Sequence, residues 1–225
     1  MALDQITSLG PFFAVDTHAA GSRIEPPWHP MSVLTADPDL LAAHVEGVRR
    51  QLSASGGPPV DTRTAASVAQ LGLAARVISP ALAIAVLCGD WPRLSLAELR
   101  WQRVPGGTFP LSVSDTALTA GTPADLLGGL LSDLVDCALP LSVSRKVLWG
   151  NIASAVNGAA MVLAGTRPDA ARRTWDLAGE LLGQPALRET WDTDSGRRFR
   201  RLSCCLIYRA SRTAAVCGDC VLRRL

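Results

Sequence analysis

Lysine is almost missing from this chain: Lys146 is the only one among 22 basic residues, the rest being arginine. Such a skew matches a coding bias toward arginine and alanine, and no function is read into it. Charge of either sign is scarce, at 19% of residues against 48% hydrophobic ones. That balance excludes a disordered chain, which needs high charge and few apolar side chains. The net charge is only +2, so there is no global field to draw the protein to nucleic acid, and no such partner is expected. The opening residues MALDQITSLGPFF have neither the basic stretch nor the apolar run of a secretory leader. Six cysteines in 225 residues are too few for a small disulfide scaffold. A cytoplasmic protein is expected, in which neighbouring thiols are more often metal ligands or redox groups than disulfides.

What is present is enough apolar sequence for one large domain or two small ones. The longest uncharged run covers the 20 residues between Lys146 and Arg167. It has the length of a bilayer span. Gly150, Asn151, Ser154, Asn157, Gly158 and Gly165 interrupt it, so it inserts poorly and reads as a buried core helix. No membrane span is expected.

Periodicity gives a mainly α protein with a small β component (α+β). Residues 1–36 show no helical period; FFAVDTH and MSVLTA read as short strands around the turn-rich GSRIEPPWHP. Asp37 to Ser53 reads as a helix, capped by Thr35 or Asp37. Asp61 to Ile78 reads as a second, and Pro80 starts a third that ends before Gly89. Leu99–Val104 and Phe109–Ser114 flank Pro105-Gly106-Gly107 as a β-hairpin. Thr122-Pro123 opens a helix to about Ala138. Ser142–Leu163 and Pro168–Leu182 are further helices, and 184–203 reads as irregular. The chain thus divides into an N-terminal segment (1–59), with short strands and one helix, a helical body (60–196), with a hairpin near 99–114, and a basic C-terminal segment (197–225).

The last segment is where charge and cysteine gather. From residue 197 onward there are eight arginines (Arg197, Arg198, Arg200, Arg201, Arg209, Arg212, Arg223, Arg224) against the single acid Asp219, a local +7 that leaves −5 for residues 1–196. Four of the six cysteines lie in the same stretch: Cys204, Cys205, Cys217 and Cys220. Cys88 and Cys137 stand alone in apolar stretches and read as core packing.

The four tail cysteines follow the pattern C-C-x11-C-x2-C. Two residues between thiols make a tight turn that points both at one metal, and Gly218 gives that turn conformational freedom. Zinc would take four thiolates around one point, commonly from two such turns. Here the first pair is vicinal, and adjacent side chains on extended backbone point to opposite faces. A cluster of several irons relaxes that demand, because its ligands are shared out between metals. Four cysteines suit a two-iron or a four-iron cluster. A closed zinc site and redox-active disulfides remain open on spacing alone.

A vicinal pair followed by C-x2-C near the C-terminus resembles the FhuF-like ferric siderophore reductases, and CCLIYR…CGDCVL looks like their cluster-binding end. RTAASVAQLGLAARVISPALA at 63–83 is similar to a central helix pair of actinobacterial members, and LWGNIASA at 148–155 to a Trp-Gly-Asn segment in them. The likeness touches roughly residues 60–225. It implies that Cys204, Cys205, Cys217 and Cys220 hold a [2Fe–2S] cluster that passes one electron to the iron of a ferric siderophore, of hydroxamate type. The implied catalytic, cofactor-binding and metal residues are these same four cysteines.

Such a core with four thiolates is formally doubly negative when oxidised and triply negative when reduced. The basic tail would offset that charge, favour the reduced form and attract an acidic donor such as a ferredoxin or flavodoxin. Trp149 and Asn151 are the candidate substrate residues, one offering aromatic surface and the other a donor and an acceptor. His18, His29 and His44 show no metal spacing, and Trp28, Trp91, Trp101, Trp175 and Trp191 read as packing. Two other functions fit the tail: a zinc-stapled basic binding module, and an electron-transfer protein without its own substrate site.

Overall fold

The computed structural model describes residues 2–54, 58–104, 108–194, 198–210 and 216–223. In chain order they form α1 (Ala2–Thr7), β1 (Asp16–His18), β2 (Trp28–Pro30), α2 (Val33–Ala36), α3 (Pro38–Ala54), α4 (Thr62–Cys88), β3 (Trp91–Pro92), β4 (Arg100–Gln102), β5 (Leu111–Ser114), β6 (Ala120–Gly121), α5 (Pro123–Leu126), α6 (Ser132–Asp136), α7 (Arg145–Thr166), α8 (Ala171–Leu182), β7 (Trp191–Thr193) and β8 (Phe199–Arg201). The fold is mainly α with small sheets, as the periodicity predicts.

The centre of the molecule is α4. The Asp61 carboxylate accepts from the Thr64 N–H at 2.7 Å and starts it; Gly89, at φ 110°, stops it. The sequence predicts two helices broken at Pro80, but the structure has one continuous helix with Pro80 inside. Proline removes one helical hydrogen bond. Burial on nearly every face of α4, from Ala65 to Val86, offsets that loss, since tertiary packing sets most of a helix's stability.

Helices α1, α3, α7 and α8 all pack on α4, and α8 also packs on α7. Both α4 and α7 are long and apolar enough to cross a bilayer by length and composition, and most of each lies inside the fold. One apolar core runs from Ile6 to Leu187, so the stretches 1–59 and 60–196 share it.

A four-stranded sheet in the order β1-β5-β4-β2 caps one end. The predicted hairpin is its middle, with β4 antiparallel to β5 and Trp101 opposite Leu111; its turn, Pro105-Gly106-Gly107, lies outside the described residues. Buried Trp101 meets Phe109 and His44 edge-on, which makes His44 a core residue.

Four local expectations need correction. Residues 2–7 are helical, because Ile6 is drawn into the core. MSVLTA holds a helical turn, α2, rather than a strand: Met31 and Leu34 both point inward, a spacing of three. The strand instead falls on Trp28–Pro30. Residues 184–203, read as irregular, contain the hairpin β7–β8, with Trp191 opposite Arg201. Three-residue strands are too short to show an alternation.

Candidate metal centre

The hairpin β7–β8 delivers the chain to the first cysteine pair. Strand β8 ends at Arg201, and Leu206, with φ 69°, reverses the backbone just beyond the vicinal thiols. The turned backbone that a vicinal pair demands is therefore present at that point. Its reversal aims the Leu206 N–H at the Cys204 sulfur, 3.4 Å away.

The second pair sits on a tight turn closed by the Cys220 N–H on the Cys217 carbonyl at 3.2 Å. Beyond it the Leu222 N–H points at the Cys220 sulfur, also at 3.4 Å. Each pair thus has one sulfur receiving a backbone N–H two residues on. Gly218 takes no left-handed conformation, and an added Cβ there would meet nothing within 4 Å. Contrary to the sequence expectation, the turn does not require glycine.

Folding brings the two segments together crosswise. Cys205 and Cys217 sulfurs are 3.8 Å apart, and Cys204 interacts with Cys220. Two thiolates sharing one tetrahedral ion, with bonds of about 2.3 Å, sit about 3.8 Å from each other. Among the described residues no three or more His, Cys, Asp or Glu side chains gather closely enough to hold a single ion. Cys204 also lies within electrostatic reach of Cys205, so the four thiols form one group of neighbouring side chains.

Electrostatics marks out one of these thiols. Cys205 is pulled down to about 5 by its hydrogen bond with Cys217 and by the Arg201 charge. Cys217 is pushed the opposite way by the same thiol–thiolate bond and by burial. Cys204 is raised by burial. The Cys205–Cys217 pair holds one proton between two sulfurs at neutral pH, ready to lose it to a metal.

Arg201 is the hub of the site. It is 1% exposed, and it donates to the Cys217 sulfur at 2.6 Å and to Asn151 Oδ1 at 3.2 Å. Its Nε lies 3.0 Å from the Asp219 carboxylate, and its backbone N–H bonds the Asp219 carbonyl. Burial opposes the guanidinium charge, but Cys205 and Asp219 outweigh it and keep it protonated. Asp219, uninformative in the sequence, is fixed a second time by the Ser154 hydroxyl at 2.6 Å.

Asn151 carries this network into the core. It is 0% exposed, and its Nδ2 lies within 3.0 Å of the Ser67 carbonyl and of Gln70 Oε1, both on α4. Burial corrects the expectation that it touches substrate. Trp149 packs against the core beside it. Gly150, between them, completes the explanation of this segment. A Cβ at 150 would strike Ser203 Oγ, so glycine admits the strand that leads into Cys204. Gly150→Ala is expected to destabilise the protein by roughly 1–3 kcal/mol in urea unfolding. Adding Ser203→Ala should recover part of that loss, because the Ser203 Cβ alone lies 3.5 Å from the added methyl.

The remaining residues fall elsewhere. Cys137 packs on the core and is pushed up to about 11 by burial. Cys88 is exposed at the end of α4 rather than buried. Trp175, read as packing, is 45% exposed. Arg197, Arg212 and Arg224 lie outside the described residues. The other tail arginines are mostly engaged within the chain, Arg198 with Asp194 and Arg209 with Asp61. Only Arg201 among them bonds a cysteine sulfur among the described residues.

The depressed Cys205 gives metal-free protein a pH dependence of definite sign. Its folded pKa, about 5, lies below the ordinary thiol value of about 8.5. The stability it contributes is present in full above the latter and is lost as pH falls through the former. Urea midpoints of metal-free wild type and Cys205→Ser should converge as pH falls toward 5. A gap that widens on acidification would contradict the assignment.

Compared with models of known protein families and with curated proteins, the chain matches none.

Proposed function

We propose that the chain is a cytoplasmic ferric-siderophore reductase of the FhuF-like kind, with Cys204, Cys205, Cys217 and Cys220 holding a [2Fe–2S] cluster. The observation that carries this reading is the crosswise pairing, Cys205 with Cys217 and Cys204 with Cys220. Four neighbouring thiolates suit a two-iron cluster or a zinc, and the resemblance of the tail to the reductases favours the cluster.

When bound, such a cluster supplies one electron at a time, drawn from an acidic donor of the ferredoxin or flavodoxin class. Arg201 offsets negative charge at Cys217 and Asp219, and the Leu206 and Leu222 N–H groups offset it at Cys204 and Cys220. The exposed Arg223 adds positive charge at the surface for the donor to meet. Siderophore-bound Fe³⁺ that takes up one electron becomes Fe²⁺, which hard oxygen donors hold far less tightly. Iron then leaves with its hydroxamate ligand intact.

Protein purified without oxygen should contain iron and acid-labile sulfide in equal amounts, and show charge-transfer absorption and a paramagnetic signal on reduction. The reduced protein, mixed with a ferric tris-hydroxamate and a ferrous trap, should deliver one Fe²⁺ per cluster. One zinc and no sulfide would sink the proposal in favour of a zinc-stapled binding module. A reducible cluster without iron release would leave an electron-transfer protein lacking its own substrate site.

A further inference from the structure

A groove of about 820 Å³ runs between α7, α8 and the β7–β8 hairpin, and ends on Gly218 and Asp219, the two residues between Cys217 and Cys220. From there a narrower cleft of about 230 Å³ continues to Cys220 itself. Its walls are apolar and partly unpaid for in water: Met161 is 60% exposed and Trp175 45%. Opposite them Trp191 stacks on Phe199, ring centres 5.5 Å apart. The volume falls within the roughly 300–1,000 Å³ of small-molecule sites.

We propose that this groove is the docking site of the ferric chelate, held by Met161, Trp175 and Trp191 with its iron toward the Gly218–Asp219 turn. The inference rests on the reductase reading and adds the place where its substrate binds. Two features argue for this occupant. The groove floor is the backbone between two cysteines, so a ligand there is next to the redox centre without displacing a thiol. Some of the charges at that end are matched within the chain, Arg198 with Asp194 and Asp219 with Arg201, while Arg200 and Arg223 bond backbone carbonyls. Such a wall suits a bulky ligand with an apolar shell and little net charge. Fe³⁺ wrapped by three monoanionic hydroxamates has that character. Gly218 finds its use here, because a side chain at the turn would stand in the groove.

Gly158 on α7 and Gly179 on α8 line the groove, and a Cβ at either meets nothing within 4 Å. Gly158→Leu and Gly179→Leu therefore plug it while improving helix propensity. The probe is a gallium(III) tris-hydroxamate, with the same charge as the ferric chelate but not reducible under these conditions. Wild-type holo-protein should bind it, and each plugged variant should bind at least roughly tenfold more weakly. With the ferric chelate KM should rise by a similar factor and kcat change little, the cluster spectrum staying as in wild type. Unchanged affinity in both plugged variants would overturn the inference even if iron release is confirmed. Gallium chelate binding that plugging abolishes, in a protein that releases no iron, would uphold the groove and refute the reductase. Plugging that only dissociates a dimer, with chelate binding intact, would make the groove a self-association face and overturn the proposal.

Discussion

Serine at any one of Cys204, Cys205, Cys217 or Cys220 is expected to strip the protein of visible absorption, iron and sulfide together. Loss of a supporting contact to a metal ligand alone costs roughly 10- to 100-fold in affinity, and loss of a ligand costs more. The four positions are not equivalent in how they fail. Cys205 and Cys220 are each 1% exposed, so a serine hydroxyl there is left in a site shaped for sulfur. Cys205→Ser also removes the thiolate that faces Arg201, leaving that cation with Asp219, Cys217 and Asn151. Cys88→Ser and Cys137→Ser should retain the full cluster, since Cys88 lies exposed at the end of α4 and Cys137 packs on the core. Parallel iron and sulfide assays on all six variants decide the ligand set. A cluster that survives Cys204→Ser unchanged would refute it.

Arg201→Met should lower the reduction potential by on the order of 100 mV. Two unit charges about 4 Å apart interact by about 4 kcal/mol at an effective dielectric near 20; an electron spread beyond the sulfur would feel roughly half of that, about 2 kcal/mol, which corresponds to that shift in a one-electron couple. The sign follows from charge: the reduced site is the more negative, so losing the cation penalises it more. Stability should fall as well, by roughly 1–3 kcal/mol, because the partly buried Asp219 carboxylate keeps only the Ser154 hydroxyl. Asn151→Leu separates the two effects. It leaves the guanidinium in place but removes its support at Oδ1, so it should destabilise the protein while moving the potential far less. Potentiometric titration followed by urea unfolding of the three proteins measures both. Equal potentials in wild type and Arg201→Met would contradict the assignment of Arg201 as the cation that tunes the site.

The fold class was legible because its signals are local, and so is the cysteine pattern on which the proposed ligand set rests. Helical periodicity located α3, α7 and α8, and the spacing of four cysteines does not depend on what surrounds them. What escaped was decided by contacts distant in sequence. Pro80 looks like a break because the sequence does not show that α4 is buried all round. Asn151 looks like a ligand-binding residue because its partners, Ser67, Gln70 and Arg201, are up to 84 positions away. Arg201 is one of eight similar arginines from residue 197 onward, and only the pairing of β7 with β8 turns it inward. The Trp-Gly-Asn segment at 149–151 carried information, but about how the tail is seated. The aromatic residues that do line a groove, Trp175 and Trp191, carry no local signal separating them from core tryptophans.

The buried line from Gln70 and Ser67 through Asn151 to Arg201 has a kinetic consequence. It ties the ligand loops to the two most deeply packed helices, with Ser154 holding the other end through Asp219. Ligands restrained in this way move little when the charge of the site changes. The reorganisation energy of electron transfer is then small, because the dipoles that stabilise the added charge are already oriented before it arrives. On the proposed reading, electron delivery would need no opening motion of the protein, and its rate would be set by how closely the acceptor approaches the Cys217–Cys220 turn.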